Sequence, residues 1–306
     1  MQGTRRTVSA TLGLALAVSL FGGVNLAQAA PPSATTVYDA IPSPLPPNVA
    51  SLGFQATQTS EFGDRVNLAG TDRILDSVTV MMSNWALYSE YTSDSRYSGN
   101  TATWTHPITV NVYSNTLDAN GEPDTLLATT TEDITIPWRP EADSTCDGGT
   151  AWRAGDGNCY NGIAFNAVFD LSSMNVTLPD DVIVGVAYNT QTYGSAPMGA
   201  PGPYSSLNVG IPTDEAATVG HDDNADNVFW NASYEGRAVG FRQDTNWTPN
   251  GTVAFKITAT PTLVGPPASK DQCLKSGWTT FNNPSFTNQG DCVSFVATGG
   301  KKTLNG

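Results

Sequence analysis

The stretch Ile108-Thr109-Val110-Asn111-Val112-Tyr113-Ser114 carries apolar side chains at every second position up to Val112. Because a β-strand points successive side chains to opposite faces, this period of two predicts one face on a core and one toward water. Ser77–Val80 and Ala254–Thr258 alternate in the same way. The three stretches indicate half-buried strands of an antiparallel sheet.

Short apolar runs of this kind recur between turn-forming residues through most of the chain. No stretch between residues 31 and 306 carries a sustained amphipathic helix period. We therefore predict an all-β fold, an antiparallel β-sandwich of the jelly-roll type, over residues 51–260. The predicted strands are Leu52–Gln58, Arg65–Leu68, Ile74–Met82, Ile108–Ser114, Leu126–Ile136, Ile163–Leu171, Val182–Asn189, Ser206–Val209, Val228–Ala232, Ala238–Arg242 and Val253–Thr260.

The composition favours strands and turns over helices. The 306 residues include 38 Thr, 29 Gly, 23 Asn and 20 Pro, whereas charged residues make up only 14%. Threonine is common in strands, and Gly, Pro and Asn are common in turns. The aromatic content of 9% argues against a disordered chain. A chain of this length can bury a core without a structural metal.

The N-terminus has the three regions of a secretory signal peptide. The Arg5-Arg6 pair precedes an apolar run from about Val8 to Val24, and Ala27-Gln28-Ala29 fits the cleavage rule. We predict a signal peptide over 1–29 and a mature protein that is secreted or associated with the cell surface. Both Sec and twin-arginine signals contain such arginine pairs, so the export route stays open. No later apolar stretch is long enough to predict a membrane span.

Prolines divide the mature chain into further segments. Residues 30–50 are rich in proline and are predicted to form an extended N-terminal segment. A linker is predicted over 261–270, and a tail over 271–306. Four of the five lysines lie beyond residue 261, which supports a separate C-terminal module.

Four cysteines predict two disulfides, because an even number in an exported chain favours pairing. We favour the local pairing, Cys146 with Cys159 and Cys273 with Cys292, since it closes two short loops in separate segments. The other two pairings remain open at this point. A zinc site is disfavoured because the chain has no C-x-x-C motif and only two histidines.

The charge distribution excludes some partners. Residues 31–260 contain 8 basic and 26 acidic residues, a net charge of −18. Such a body repels nucleic acid and anionic membranes. The expected partner is an extracellular glycan or the cell wall, and the sequence does not set the oligomeric state.

Two segments resemble known bacterial patterns. Residues 273–296 contain C-x3-G-W…F-x-N-P-x-F-x-N-Q-G-x-C-V-S, which resembles a short C-terminal segment of secreted bacterial proteins of uncharacterised function. That resemblance implies secretion and no particular chemistry. Residues 112–128 resemble a hairpin of extracellular bacterial β-sandwich domains, although Asp124 stands where glycine is common there. This second resemblance supports the fold.

Aromatic residues in two long loops form the first candidate site. Flat rings stack on sugar faces, while neighbouring carboxylates and amides bind hydroxyl groups. The alternative is that Trp85 and Trp104 cap the core at the ends of loops. The candidate ligand-binding residues are Trp85, Tyr88, Tyr91, Trp104, Tyr193 and Tyr204.

An acidic loop forms the second candidate site. Asp222, Asn224 and Asp226 have the alternate spacing of Ca²⁺ ligands. The match to an EF-hand loop fails at Asn227, where that motif has glycine. The alternative is a solvated turn rich in Asp and Asn. Ca²⁺ is the only cofactor that the sequence suggests.

The leading functional hypothesis is a secreted, non-catalytic binding module for glycan. The first alternative is a structural surface protein without a small ligand, which burial of Trp85, Tyr88 and Tyr91 would favour. The second is a glycoside-active enzyme, which needs two carboxyls facing one cleft, one of them in an apolar pocket. Neither G-x-S-x-G nor H-E-x-x-H occurs in the chain.

Overall fold

The computed structural model describes residues 33–212, 217–222, 224, 226–248 and 253–300. The predicted signal peptide over 1–29 lies outside the described residues. The described chain divides into two compact units, with the boundary between Thr262 and Leu263. Across the described ranges, no helix is both long and apolar enough to cross a membrane.

The first unit consists of antiparallel strands joined by turns and short 3-10 helices. Its 3-10 helices are Tyr88–Glu90, Ser172–Met174, Pro203–Ser206 and Tyr234–Gly236. Its strands in chain order are β1 (Thr35–Asp39), β2 (Ser51–Gly53), β3 (Thr59–Asn67), β4 (Ile74–Asn84), β5 (Thr103–Ser114), β6 (Leu126–Pro137), β7 (Trp152–Arg153), β8 (Cys159–Tyr160), β9 (Ile163–Asp170), β10 (Asp181–Ala187), β11 (Leu207–Gly210), β12 (Asn227–Ala232), β13 (Arg242–Thr245) and β14 (Phe255–Thr260).

The strands form two six-stranded sheets and one two-stranded ribbon. In the first sheet, β4 is the central strand. Strands β14 and β11 pair along one of its edges, and β9 pairs along the other. The outer neighbours are β1, which pairs with β14, and β2, which pairs with β11. The second sheet has the order β13-β12-β3-β10-β5-β6, and β7 pairs with β8 in the ribbon. Every one of these strand pairs is antiparallel.

One hydrophobic core contains side chains from both large sheets. Val78 and Val80 of β4 share it with Val110 of β5 and Val184 of β10. The alternation that begins at Ile108 therefore buries one face of its strand, as predicted. These features confirm the all-β antiparallel class.

The outer face of the second sheet carries a smaller apolar cluster of Ile183, Phe229 and Phe241. Gly185 lies beneath it, where a Cβ atom would overlap the Glu61 carboxylate and lie 3.0 Å from Phe241 Cζ. The missing side chain therefore makes room for both groups on the sheet surface.

The segment 30–50 is not a separate extension where it is described. Thr35–Asp39 forms β1 and pairs with β14, and both Val37 and Tyr38 are buried. The strand predicted at Leu52–Gln58 is shorter than expected, because turn residues follow Gly53.

The second unit contains two 3-10 helices and one α-helix over its described residues. The helices are Lys270–Cys273, Gly277–Thr280 and α1 (Gln289–Ala297). The Asn288 side chain caps α1 by accepting a hydrogen bond from Asp291 N. The Cys273–Cys292 disulfide packs with buried Phe286. The sequence showed no helix period in this tail, so the presence of α1 corrects the expectation of a tail without helices.

Candidate functional site

Trp85 is an exposed indole fixed to the end of β4. It follows the last residue of that strand, and 43% of it is exposed. Its indole N–H donates a hydrogen bond to Ser83 Oγ at 3.1 Å, and its backbone N–H donates to Ser206 O at 3.0 Å. The ring is therefore held in place although it faces solvent.

The β7–β8 ribbon presents two further aromatic rings. Trp152 pairs with Tyr160 across the ribbon, and their ring centroids lie 5.9 Å apart. The predicted Cys146–Cys159 disulfide is present and ties β8 to the preceding loop. Both rings are partly exposed. Sequence reasoning missed them, although their position in and beside the disulfide loop was a usable signal.

Gly162 connects Trp85 to the ribbon. A Cβ atom at Gly162 would lie 2.5 Å from Trp85 Nε1, so the indole packs directly against the glycine backbone. The indole N–H of Trp152 donates to Gly162 O at 2.7 Å. Trp85 and Trp152 thus both contact Gly162, and Tyr160 lies beside Trp152 on the ribbon. We call these three residues the aromatic surface.

Carboxylate and amide groups border the aromatic surface. Asp156 Oδ2 accepts hydrogen bonds from Tyr160 Oη at 2.7 Å and from Asn158 Nδ2 at 3.1 Å. The Tyr160 hydrogen bond lowers the pKa of the Asp156 carboxyl and raises the pKa of the Tyr160 phenol. Asp156 is therefore ionised at neutral pH. Partly exposed rings beside such acceptors can stack on a sugar and bind its hydroxyl groups.

Two of the predicted ligand-binding residues lie in the core. Trp104 is 4% exposed and Tyr204 is fully buried. The Tyr204 ring stacks on His106 with the centroids 5.0 Å apart. Burial leaves neither ring open to a ligand, so the expectation for Trp104 and Tyr204 is corrected: they stabilise the fold.

Tyr88 and Tyr91 form a second, half-buried aromatic group around Trp138. Their ring centroids lie 5.8 and 5.7 Å from that of Trp138, and Tyr91 stacks on it at 23°. These contacts hold the loop after β4 against the core. Tyr193 is partly exposed in another loop, where its backbone exchanges hydrogen bonds with Thr190. The structure does not bring these three tyrosines into the aromatic surface.

The acidic loop has the geometry of a turn. Asn224 N donates to Asp222 Oδ1 at 2.8 Å, and Thr248 N donates to Asp226 Oδ1 at 3.0 Å. The Thr248 hydrogen bond lowers the pKa of Asp226. In the part of the chain that the structure describes, no three His, Cys, Asp or Glu side chains are grouped to hold a metal. The predicted Ca²⁺ site gains no support from these contacts.

Among the described residues, two acidic side chains have carboxyl groups buried enough for desolvation to raise their pKa values. Desolvation raises the pKa of Glu61, against hydrogen bonds donated by Asn111 and Tyr113, and raises that of Asp64 well above its usual range. Both lie on β3, three residues apart. Because side chains alternate along a strand, Glu61 points to the outer face and Asp64 to the core. The two cannot flank one substrate as the carboxyl pair of a glycosidase must.

Comparisons of the chain with protein-family models, curated proteins and solved structures found no match. Three features of the described residues bear on function. They are the aromatic surface, the packing of the other aromatic residues, and the placement of Glu61 and Asp64 on opposite faces of β3.

Proposed function

We propose that the mature chain is a secreted or cell-surface-associated binding module for glycan, without catalysis. The observation that carries the proposal is the aromatic surface around Gly162. Exposed apolar side chains grouped on one surface are typical of interaction sites. A pyranose presents C–H groups that stack on such rings, while Asp156 and Asn158 accept and donate hydrogen bonds at the border.

The aromatic surface is also suited to binding because its parts are already ordered. The Trp85 and Trp152 indoles each donate a hydrogen bond within the protein, and the Cys146–Cys159 bond closes the ribbon loop. A ligand that meets ordered side chains loses less conformational entropy than one that must order them.

The proposal extends to fold and location. The core shared by the two sheets supports a β-sandwich of the jelly-roll type. Two disulfides support an oxidising compartment outside the cytoplasm, in agreement with the signal peptide that the sequence predicts.

A structural surface protein is the second candidate. The packing of Tyr88 and Tyr91 on Trp138, together with the burial of Trp104 and Tyr204, favours it. These rings stabilise loops and need no ligand. The glycoside-active alternative lacks comparable support, because Glu61 and Asp64 lie on opposite faces.

A retention assay separates the candidates. Mature protein is applied to cellulose, xylan, chitin, pectin and purified cell wall, each with Ca²⁺ and with chelator. We expect retention on at least one matrix, unchanged by chelator, and at least about tenfold weaker in Trp85→Ala and Trp152→Ala. Tyr193→Ala, a partly exposed ring elsewhere, should bind as the wild type does. Absence of retention on every matrix would overturn the proposal in favour of a structural protein.

A further inference from the structure

Arg139 differs from the other described arginines because it has no negatively charged or aromatic partner. Arg65 lies over the Phe229 ring, with Cζ 5.5 Å from the centroid. The arginines that pair with a carboxylate within 3.0 Å are Arg73, Arg96, Arg153, Arg237 and Arg242.

Arg139 is also the most buried of these arginines. It is 8% exposed, and its Nε and Nη1 atoms are enclosed without a hydrogen-bond partner. A guanidinium group does not lose its proton at physiological pH, so a full positive charge lies inside the protein. An enclosed charge without a partner is costly unless an anion compensates it.

The carboxylates nearest in sequence to Arg139 are engaged with other residues. Glu141 Oε2 accepts a hydrogen bond from Ser89 Oγ at 3.0 Å. Asp143 Oδ2 accepts one from Arg153 Nε at 3.0 Å. Among the described residues, no carboxylate forms an ion pair with Arg139, although the body is strongly acidic.

Arg139 lies between the two aromatic groups. Its backbone N–H donates to Ala86 O at 3.1 Å, and it forms a β-bridge with Leu87, so it sits beside the residues that follow Trp85. The residue before it, Trp138, stacks on Tyr91. The Arg139 backbone is thus adjacent in the fold to the end of β4 that presents the exposed indole.

We propose that Arg139 binds a carboxylate of the glycan, which makes the ligand a polysaccharide of uronic acids. This inference rests on the proposed function. Among the described residues Nη2 has no partner and, unlike Nε and Nη1, is not enclosed. A carboxylate of the ligand therefore reaches the guanidinium at Nη2, where it accepts a charge-assisted hydrogen bond. A sugar ring stacked on Trp85 would carry this carboxylate.

The acidic body gives this binding an unusual salt dependence. Residues 31–260 carry a net charge of −18, which repels a polyanion at long range. Salt screens that repulsion over about 8–10 Å at ordinary ionic strength, whereas an enclosed ion pair is screened much less. Retention on an acidic glycan should therefore persist or rise as salt increases to about 0.15 M, whereas non-specific ionic adsorption weakens.

The test compares each acidic polysaccharide with its own methyl ester. Mature full-length protein is titrated with polygalacturonate, alginate and the methyl ester of each, which differ in carboxylate charge on the same sugar backbone. We expect the acid to bind roughly 10- to 100-fold more tightly than the ester, the range for charge-assisted hydrogen bonds. Arg139→Gln should remove the preference, and Arg139→Lys should keep only part of it. Arg237→Gln, whose guanidinium is paired with Asp244, should retain it.

The outcomes distinguish this inference from the proposed function. Equal binding of acid and ester, or binding of neutral glycans alone, overturns the role of Arg139 while leaving the glycan-binding module in place. No binding to any glycan overturns the module itself. Because the acid–ester comparison uses wild-type protein, equal binding overturns the inference even if Arg139→Gln fails to fold. Arg139→Lys then tests whether a preference for the acid depends on Arg139. A Trp85→Ala variant that loses the same affinity for acid and ester would show that stacking on Trp85 contributes to binding independently of the carboxylate.

Discussion

Substituting Gly162 by alanine tests whether the aromatic surface is a built site. The added Cβ would lie 2.5 Å from both Ser83 Oγ and Trp85 Nε1, and 2.6 Å from Trp85 Cδ1. Contacts this short cannot persist, so the Trp85 indole or the Ser83 side chain must shift, which disturbs the 3.1 Å hydrogen bond between them. Overpacking of this kind destabilises by about 1–3 kcal/mol.

Binding should respond separately from stability. Displacement of the Trp85 ring removes one stacking face, and a loss of about 1.4 kcal/mol weakens glycan binding about tenfold. Urea unfolding measures the free energy of unfolding, and titration with the retained glycan measures affinity. Gly155→Ala is the matched control on the same ribbon, because a Cβ there has no atom within 4 Å. If Gly162→Ala unfolds and binds as Gly155→Ala does, the packing argument for the aromatic surface is refuted.

Three further predictions concern single contacts. Trp152→Phe removes the hydrogen bond to Gly162 O and should lower the free energy of unfolding by about 1 kcal/mol in urea melts; an unchanged value would show that the bond is not needed. Burial raises the pKa of Asp64 in the folded chain above its value in the unfolded chain. Protonation of Asp64 therefore stabilises the folded chain. This contribution is fully present below about pH 4, the ordinary pKa of aspartate, and is lost as the pH rises through the raised pKa. Wild type should therefore lose stability relative to Asp64→Asn between pH 4 and 7, and a constant difference would contradict this. In the Cys146→Ser, Cys159→Ser double variant, the free energy of unfolding should fall by about 3 kcal/mol from loop entropy, and glycan retention should weaken. Retention equal to that of the wild type would show that the closed loop is not needed for binding.

The class of the fold could be predicted from local alternation, but one edge strand could not. Ile108–Ser114 keeps a strict period of two, and the strand forms as expected. In β1, Val37 and Tyr38 are adjacent and both buried, because the pairing with β14 is irregular between Thr36 and Tyr38. Such an irregularity interrupts the period of two on which the strand predictions depended.

The short helix α1 was missed for a similar reason. Its nine residues give too few turns for a period to show, and it includes Gly290 and two valines, which are poor helix formers. Asn288 at the N-cap was the signal that could have indicated it.

The candidate site was only partly predictable. Trp85 and Trp104 were both identified as aromatic residues of a long loop, although Trp85 is 43% exposed and Trp104 is buried. The ribbon lies near Trp85 because β9, which follows Gly162, pairs with β4 so that Ile163 lies opposite Asn84, a contact between segments about 80 residues apart in sequence. No local pattern encodes such a contact.

The Cys146–Cys159 disulfide beside the aromatic surface bears on when the proposed glycan site is assembled. In a reducing cytosol, Cys146 and Cys159 remain thiols, so a precursor awaiting export lacks the closed loop that adjoins Trp152 and Tyr160. For a chain exported as we propose, sugars inside the producing cell do not compete for an assembled surface. Under that proposal, oxidation after translocation would be the maturation step, and affinity would be acquired in the compartment where the ligand is met.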